Sequence, residues 1–329
     1  MKMIQVGIGS FGNGWYKNIK KEHPELDLAV VDTNPEASKK ITGARDRFYP
    51  SLSEAIATEK PDFILNTTPP HIHTKINHIA FDNRLPVLCE KPIAEDFAES
   101  VEIVTRTERE GIPFMIAENY RRAATMRAAK RALLDGAIGE LRTLHCDFYK
   151  SFRTEKRYFV EMKDPFLSDV AVHLLDLVRY LAGSEGKEIS ARSFNPPGSW
   201  CRGNMALDAM IEMRNGVIVS FTGSMITKGP ETNWRGNWRM EGTEGTMIVV
   251  DDKVSLAKGK EITQIGDFAG ARGDNCLDDF LRSLKEKRPD ETCARDYLNT
   301  QALVHFALQS SVKRQTVAVE LPKIGGLGK

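Results

Sequence analysis

The sequence predicts an α/β chain in two parts: a parallel sheet with helices on both faces over residues 1–120, then a domain built on a mostly antiparallel sheet over residues 121–329. Three observations carry that expectation. Up to about residue 118, short apolar runs alternate with amphipathic stretches of helical length, the pattern of βαβ units. After Asn119, strand-like runs follow one another through short turns, as in an antiparallel sheet. The first strand also runs straight into a glycine-rich turn that opens a helix.

In chain order, the first-part strands are MIQVGI, LDLAVV, DFILNT, PVLCE and PFMIAE, each separated from the next by a helical stretch. Cys89 lies in PVLCE, a strand expected to be buried, so its thiol reads as inert packing. A helix over about Ala123 to Leu134 stops at the turn DGAIGE. The segment SDVAVHLLDLVRYL, Ser168 to Leu181, is a helix with Val170, Leu174, Leu177, Val178 and Leu181 on its apolar side. Its opposite side carries Asp169, His173 and Asp176 at i, i+4 and i+7, which stack along one face at 3.6 residues per turn. EISARSF, ALDAMIEM, VIVSFTGSM, NWRMEG and TMIVV then read as strands joined by turns such as RNG and GTEG. Helices over roughly Gly273 to Glu286 and Ala294 to Lys313 close the chain, with IGGLGK expected to be loose. No repeat of fixed period and no low-complexity segment interrupts this order.

Composition narrows the function. The 329 residues can bury two cores of ordinary size, and 41% hydrophobic with 28% charged content is globular. Forty-six basic against 45 acidic residues argue against general affinity for nucleic acid or anionic membrane. Met1 is followed almost at once by a strand, with no leader pattern and no run long enough to span a bilayer. The five cysteines are widely spaced, form no CxxC pair and suit a reducing compartment. A soluble, cytoplasmic protein is expected, with neither nucleic-acid nor membrane partners.

The turn after the first strand is GIGSFG, a GxGxxG pattern at Gly7, Gly9 and Gly12 that spans Ser10 and Phe11. The first glycine allows the tight turn, the second lets backbone approach a pyrophosphate, and the third lets helix and strand pack closely. The helix that follows offers unsatisfied N–H groups and the positive end of its dipole to phosphate. Asp32, at the end of the second strand and 20 residues beyond Gly12, can accept from adenosine ribose hydroxyls. That carboxylate favours NAD over NADP by repelling a 2′-phosphate, although Lys39, Lys40, Arg45 and Arg47 are close enough in sequence to weaken the preference.

With the segments NTTPPHIH (Asn66 to His73) and LCEKPIA (Leu88 to Ala94), the chain resembles the glucose-fructose oxidoreductase, inositol dehydrogenase and MocA family of nicotinamide-dependent sugar and polyol oxidoreductases. The likeness covers nearly the whole chain and includes the DGAIGEL turn, the DxxxH helix and WRMEGTEGT. It implies an N-terminal Rossmann domain with a doubly wound parallel sheet and a C-terminal α/β domain with an open, mostly antiparallel sheet. It implies cofactor contacts at Thr67, Thr68, Pro69, His73, Glu90 and Lys91, and it brings Lys91, Asp169 and His173 together at the nicotinamide. The sequence departs from the family pattern at Asp164 and Pro165, where a glycine pair is common, and at Ala171 between Asp169 and His173. The resemblance and the open sheet together imply a homodimer or homotetramer.

The residue types suit the chemistry. Oxidising a secondary alcohol removes a hydride from carbon and a proton from oxygen, and the protein must supply the base. Histidine has an unperturbed pKa near neutrality, so His173 is the candidate base; Asp169 would orient the imidazole or a substrate hydroxyl, and Lys91 would stabilise the oxygen as negative charge grows. Pro92 fixes the chain direction after Lys91, through a peptide bond that either isomer fits. Asn119 and Tyr120 are candidate substrate contacts, with hydrogen bonding at the domain junction as the plain alternative for them and for Arg121. Asp176 and Tyr180 extend the polar stripe as supporting residues, and Trp234, Arg235, Trp238 and Arg239 read as strand packing. No metal is expected, although Asp169 and His173 with His71 or His73 are conceivable ligands. The rival functions are an NAD-dependent glycosidase that oxidises its substrate transiently, and a non-catalytic nucleotide-binding regulator.

Overall fold

The computed structural model describes residues 1–266 and 275–324. Of these residues, the first compact unit comprises Met1–Glu118, Cys276–Leu298 and residues 323–324, and the second comprises residues 119–266 and 275 with Asn299–Pro322.

The first unit holds strands β1 (Lys2–Val6), β2 (Asp27–Val31), β3 (Arg47–Tyr49), β4 (Phe63–Asn66), β5 (Val87–Cys89) and β6 (Phe114–Ile116), with helices α1 (Ser10–Glu22), α2 (Leu52–Glu59), α3 (Pro70–Asp82) and α4 (Phe97–Glu110) between them. All six strands pair in parallel in the order β3-β2-β1-β4-β5-β6. Every residue of β4 is buried, as are the last four of β1, which is why these central strands read as continuous apolar runs. The order reverses between β1 and β4, and the crevice beyond the carboxyl ends of strands at such a reversal is where ligands bind in this architecture.

The second unit begins with α5 (Ala124–Leu134), β7 (Leu141–Tyr149), the short α6 (Arg157–Glu161), a π-helical turn at Phe166–Ala171 and α7 (Val172–Ala182). Strands β8 (Gly186–Phe194), β9 (Ala206–Met213), β10 (Ile218–Ser224), β11 (Asn237–Gly242), β12 (Thr246–Val250), β13 (Lys253–Lys258) and β14 (Glu261–Ile265) follow. Next along the chain come α8 (Cys276–Glu286), which belongs to the first unit, α9 (Ala294–Lys313), which passes from the first unit to the second after Leu298, and β15 (Val317–Ala318). The second sheet runs β14-β13-β12-β11-β7-β10-β9-β8-β15. Among the described residues only β7 and β10 pair in parallel there; the other pairs are antiparallel. Strand alternation places Ile211, Val219 and Phe221 in one core with Leu174, Leu177 and Val178 of α7. The other face presents Met210, Ile218, Val250 and Ile262, all exposed.

Three expectations need revision. The helix drawn from Ser168 opens instead as the π-helical turn and becomes α-helical only at Val172, so Asp169 sits on a wider turn than His173. Strand β7 was not among the expected strands, although Leu144, Cys146 and Phe148 alternate as buried residues along it. A single break at residue 120 also misses the return of Cys276–Leu298 to the first unit. There Phe280 of α8 meets Phe63 edge-on at 5.5 Å, and Thr292 takes the Ile116 N–H at 3.0 Å beside β6. Apolar surface on the first sheet's flank, rather than nearness in sequence, draws this segment back. The expected helix start at Gly273, and the loose tail beyond Ile324, lie outside the described residues.

Candidate functional site

In the first unit the turn between β1 and α1 is shaped by backbone demands. Gly7 has φ +90°, a conformation L side chains rarely adopt, and a Cβ at Gly12 would lie 2.3 Å from the Gly7 carbonyl oxygen. A Cβ at Gly9 would meet nothing within 4 Å, which leaves open space where a pyrophosphate must approach. Ser10 and the exposed Phe11 begin α1, whose first turn has no acidic residue and no side-chain cap. This open, cation-like helix end fits a dinucleotide phosphate. Asp32 accepts from the Ile8 and Asn34 backbone N–H groups, one on each carboxylate oxygen at 2.9 Å. The remaining lone pairs are available to ribose hydroxyls.

Several residues expected to contact the cofactor also hold the local backbone in place. The Thr67 hydroxyl donates to the Gly7 carbonyl at 2.7 Å and Thr68 to the Asn66 side chain at 2.7 Å, while Pro69 is exposed at the head of α3. His73 is 0% exposed, with Nδ1 and Nε2 each 2.8 Å from a carbonyl oxygen, of Pro92 and Thr68 respectively. Burial lowers its pKa, while the two carbonyls act in the opposite direction. His73 therefore positions the chain around Lys91-Pro92, which is cis, instead of presenting a ring nitrogen to solvent. Glu90, also buried, accepts from Trp15 Nε1 at 2.7 Å and from the Lys91 N–H at 3.3 Å; Lys91 itself is partly exposed.

Two residues of this scaffold had no sequence signal. Trp15 ties α1 to the segment after β5, and the fully buried Gln5 amide donates to the Gly12 carbonyl at 2.7 Å and the Gly7 carbonyl at 3.0 Å. Burial raises the Cys89 thiol well above its usual range, in keeping with inert packing.

In the second unit Asp169 and His173 are both partly exposed. The His173 imidazole stacks on Tyr120, with ring centroids 4.3 Å apart and planes 14° from parallel. Tyr120 follows the exposed Asn119 in a tight 3-10 turn, and the next residue, Arg121, is buried. Arg121 Nε donates to Asp176 at 2.7 Å, its Nη2 makes a second bond to the same carboxylate, and Thr300 donates to it at 2.8 Å. Arg179 stands 3.6 Å away. Burial alone would raise the Asp176 carboxyl, but the charge and hydrogen bonds of Arg121, with Arg179 and Thr300, hold it below the usual range. The polar stripe is thus split: its first two residues face outward, and the third anchors the turn that carries the stacked Tyr120. Sequence alone could not pair Arg121 with Asp176, which lie 55 residues apart.

Of the basic and aromatic group, Trp238 is buried on β11, Arg235 pairs with Asp252 and Arg239 with Glu241. Trp234 departs from strand packing: it precedes β11 and is 41% exposed. Among the described residues no cluster of three or more His, Cys, Asp or Glu side chains could hold a metal ion.

The chain is similar to known proteins in both of its units. The description "Oxidoreductase family, NAD-binding Rossmann fold" matches residues 1–118, and "GFO/IDH/MocA C-terminal domain" matches residues 126–248. The chain is 25% identical to a D-apiose dehydrogenase of Rhizobium rhizogenes, over 97% of this chain and 99% of that one. It is 27% identical to an inositol 2-dehydrogenase of Renibacterium salmoninarum over 56% of each. The fold matches an oxidoreductase from Agrobacterium radiobacter, solved with NAD+, L-tartaric acid and magnesium, with TM-score 0.87 and 22% identity over 97% of this chain and 98% of that one. With the glycine turn, Asp32 and both sheets in place, the chain belongs to the GFO/IDH/MocA family of NAD-binding oxidoreductases.

Proposed function

We propose that the protein is a dehydrogenase that moves a hydride between a hydroxyl carbon of a sugar, polyol or related compound and NAD, with NADP the weaker partner. The observation that carries this reading is the fixed imidazole of His173, held partly exposed against Tyr120 over the buried Arg121–Asp176 pair. Relatives named for D-apiose, levoglucosan and inositol, all polyhydroxylated compounds, support it.

Bound nicotinamide supplies the hydride acceptor. The open α1 terminus would hold the pyrophosphate and Asp32 the ribose. Of the nearby basic residues, Lys39 pairs with Glu36 and Arg47 with Asp27 and Glu59, whereas Lys40, which keeps its charge while donating to the neutral Ile8 carbonyl, and Arg45 are the residues left to oppose Asp32's preference for NAD. His173 would take the proton of the reacting hydroxyl on a ring nitrogen, with Asp169 orienting that hydroxyl or the ring. Lys91 Nζ would donate to the oxygen as it becomes anionic. Asn119 and Tyr120 would contact the substrate beside His173.

The test is a panel of sugars and polyols screened for reduction of NAD and NADP. Accumulating NADH is expected, and it distinguishes a dehydrogenase from a glycosidase that returns its hydride. His173→Ala should lower turnover by about 10²–10⁴ and leave NAD affinity nearly unchanged. The wild-type oxidation rate should rise with pH through one ionisation that the variant lacks. Near-normal turnover in His173→Ala would remove histidine from the role of base.

The same reading includes a homodimer or homotetramer packed through the exposed face of the second sheet, and action in the cytoplasm. In support, no helix among the described residues is long and apolar enough to cross a membrane, and none of the five cysteines forms a disulfide.

A further inference from the structure

Three loops converge at the end of the second sheet where the parallel strands β7 and β10 finish: residues 150–165, 195–204 and 226–236. They are cross-tied. Trp200 Nε1 donates to the Phe152 carbonyl at 2.9 Å, the Ser151 N–H to Glu231 at 2.9 Å, and the Thr232 N–H to the Tyr149 carbonyl at 3.0 Å. Asp164 and Pro165, where the sequence leaves the family pattern, belong to this assembly. Asp164 Oδ1 accepts from Ser193 Oγ and Asn204 Nδ2, each at 2.7 Å, and a Cβ on Gly203 would lie 2.6 Å from Pro165 Cδ. Asp164 and Pro165 thus tie the segment before the π-helical turn to residues 193 and 203–204.

Behind those loops, packed aromatic rings connect Trp234 through the buried Phe148 and Phe166 to the π-helical turn that opens the helix of the candidate site. Trp234 meets Phe152 edge-on at 5.9 Å and Phe148 at 6.1 Å. Phe148 stacks at 5.6 Å on Phe166, the first residue of the π-helical turn that bears Asp169. Two residues beyond Trp234, a Cβ on Gly236 would lie 3.6 Å from Leu174, the neighbour of His173. Although braced in this way, Trp234 stays 41% exposed. Lys150 Nζ stands 5.3 Å from its ring centroid and 3.1 Å from Glu231.

From this geometry we infer that Trp234 and the Lys150–Glu231 pair form the substrate-recognition wall, selecting ring-closed sugars or cyclitols over open-chain polyols. A ring-closed sugar offers a rigid C–H face that an indole can cover, whereas an open-chain alditol must freeze several rotors to do the same. At the edge of the indole the ammonium donates and the carboxylate accepts, the complement of two neighbouring hydroxyls. The inference rests on the dehydrogenase reading for where the reacting hydroxyl lies, and it adds the shape of the substrate.

The experiment uses the full NAD-loaded chain titrated with D-glucose, D-xylose and myo-inositol, and with sorbitol and xylitol, reading tryptophan fluorescence and NADH formation. Ring-closed compounds should quench a component of the emission that Trp234→Phe removes. Trp234→Ala should raise their KM by about tenfold or more with kcat changed less than about threefold, while Trp234→Phe retains much of the affinity. An unchanged KM in Trp234→Ala, or a preference for the alditols, overturns the inference and leaves the dehydrogenase reading intact. Trp234-dependent quenching without any NADH overturns the dehydrogenase reading and leaves the wall standing.

Discussion

Asp176 would serve the proposed site without entering it. Its carboxylate is fully buried and bonded to Arg121, whose chain neighbour Tyr120 stacks on His173. Removing it would leave two buried guanidinium groups, of Arg121 and Arg179, short of one carboxylate. Asp176→Ala should therefore cost about 3–5 kcal/mol of stability, measured by urea unfolding, and lower kcat as the ring stack loosens. An unfolding midpoint within error of wild type would show that the pair holds neither the fold nor the stack. At this scale the sequence was legible where chemistry dictates residue type at fixed local spacing: three glycines, an acid closing β2, and Asp169 with His173. It was silent on Trp15, Gln5 and the buried role of His73, because those depend on partners brought close only by folding.

Elements of the first unit are locked at their ends by charge as well as by apolar packing. Glu59, the last residue of α2, is buried and accepts from Arg47 Nε at 2.5 Å, Tyr49 OH at 2.6 Å and Lys2 Nζ at 3.2 Å, so it ties the helix to β3 and β1. Burial would raise its carboxyl, but the hydrogen bonds from Arg47, Tyr49 and Lys2 lower it from 4.5 to about 2. A carboxyl whose pKa falls on folding adds stability that is present above its unfolded pKa and disappears as pH drops through the folded one. The stability difference between wild type and Glu59→Gln should thus shrink as pH falls from 4.5 towards about 2, followed by urea midpoints across that range. A difference independent of pH would mean that Glu59 acts through packing alone. Element positions were the most readable feature, since period-2 and period-3.6 patterns are local: β9, β11, β12 and α9 fall on the segments that the sequence marks. Strand β7 escaped because it stands alone between two helices, apart from the run of successive strands β8 to β14, and the π-helical turn because residue spacing does not encode its hydrogen bonds.

For the whole molecule, the exposed face of the second sheet carries the proposal of assembly. Met210 is 58% exposed on it, and its register neighbours run through Ser220 and His145 to Arg239 and Ile248, a mixed polar and apolar row that a second copy can cover. Light scattering at micromolar concentration should give a dimer or tetramer, and Met210→Asp should shift it towards monomer; a wild-type monomer would refute this assembly. What the sequence determined by itself was the architecture class and the nucleotide-binding turn, because alternating apolar periods and a glycine cradle are written into adjacent residues; the oxidoreductase class rested on the resemblance of NTTPPHIH, LCEKPIA and the DxxxH helix to a known family. Only the tertiary structure decided that β7 and β10 lie in parallel, that Cys276–Leu298 returns to the first unit, that Asp176 grips Arg121, and that Trp234 stays exposed in an aromatic wall. Each of these depends on which distant surfaces bury each other when the chain closes, a competition among long-range contacts that local spacing does not encode.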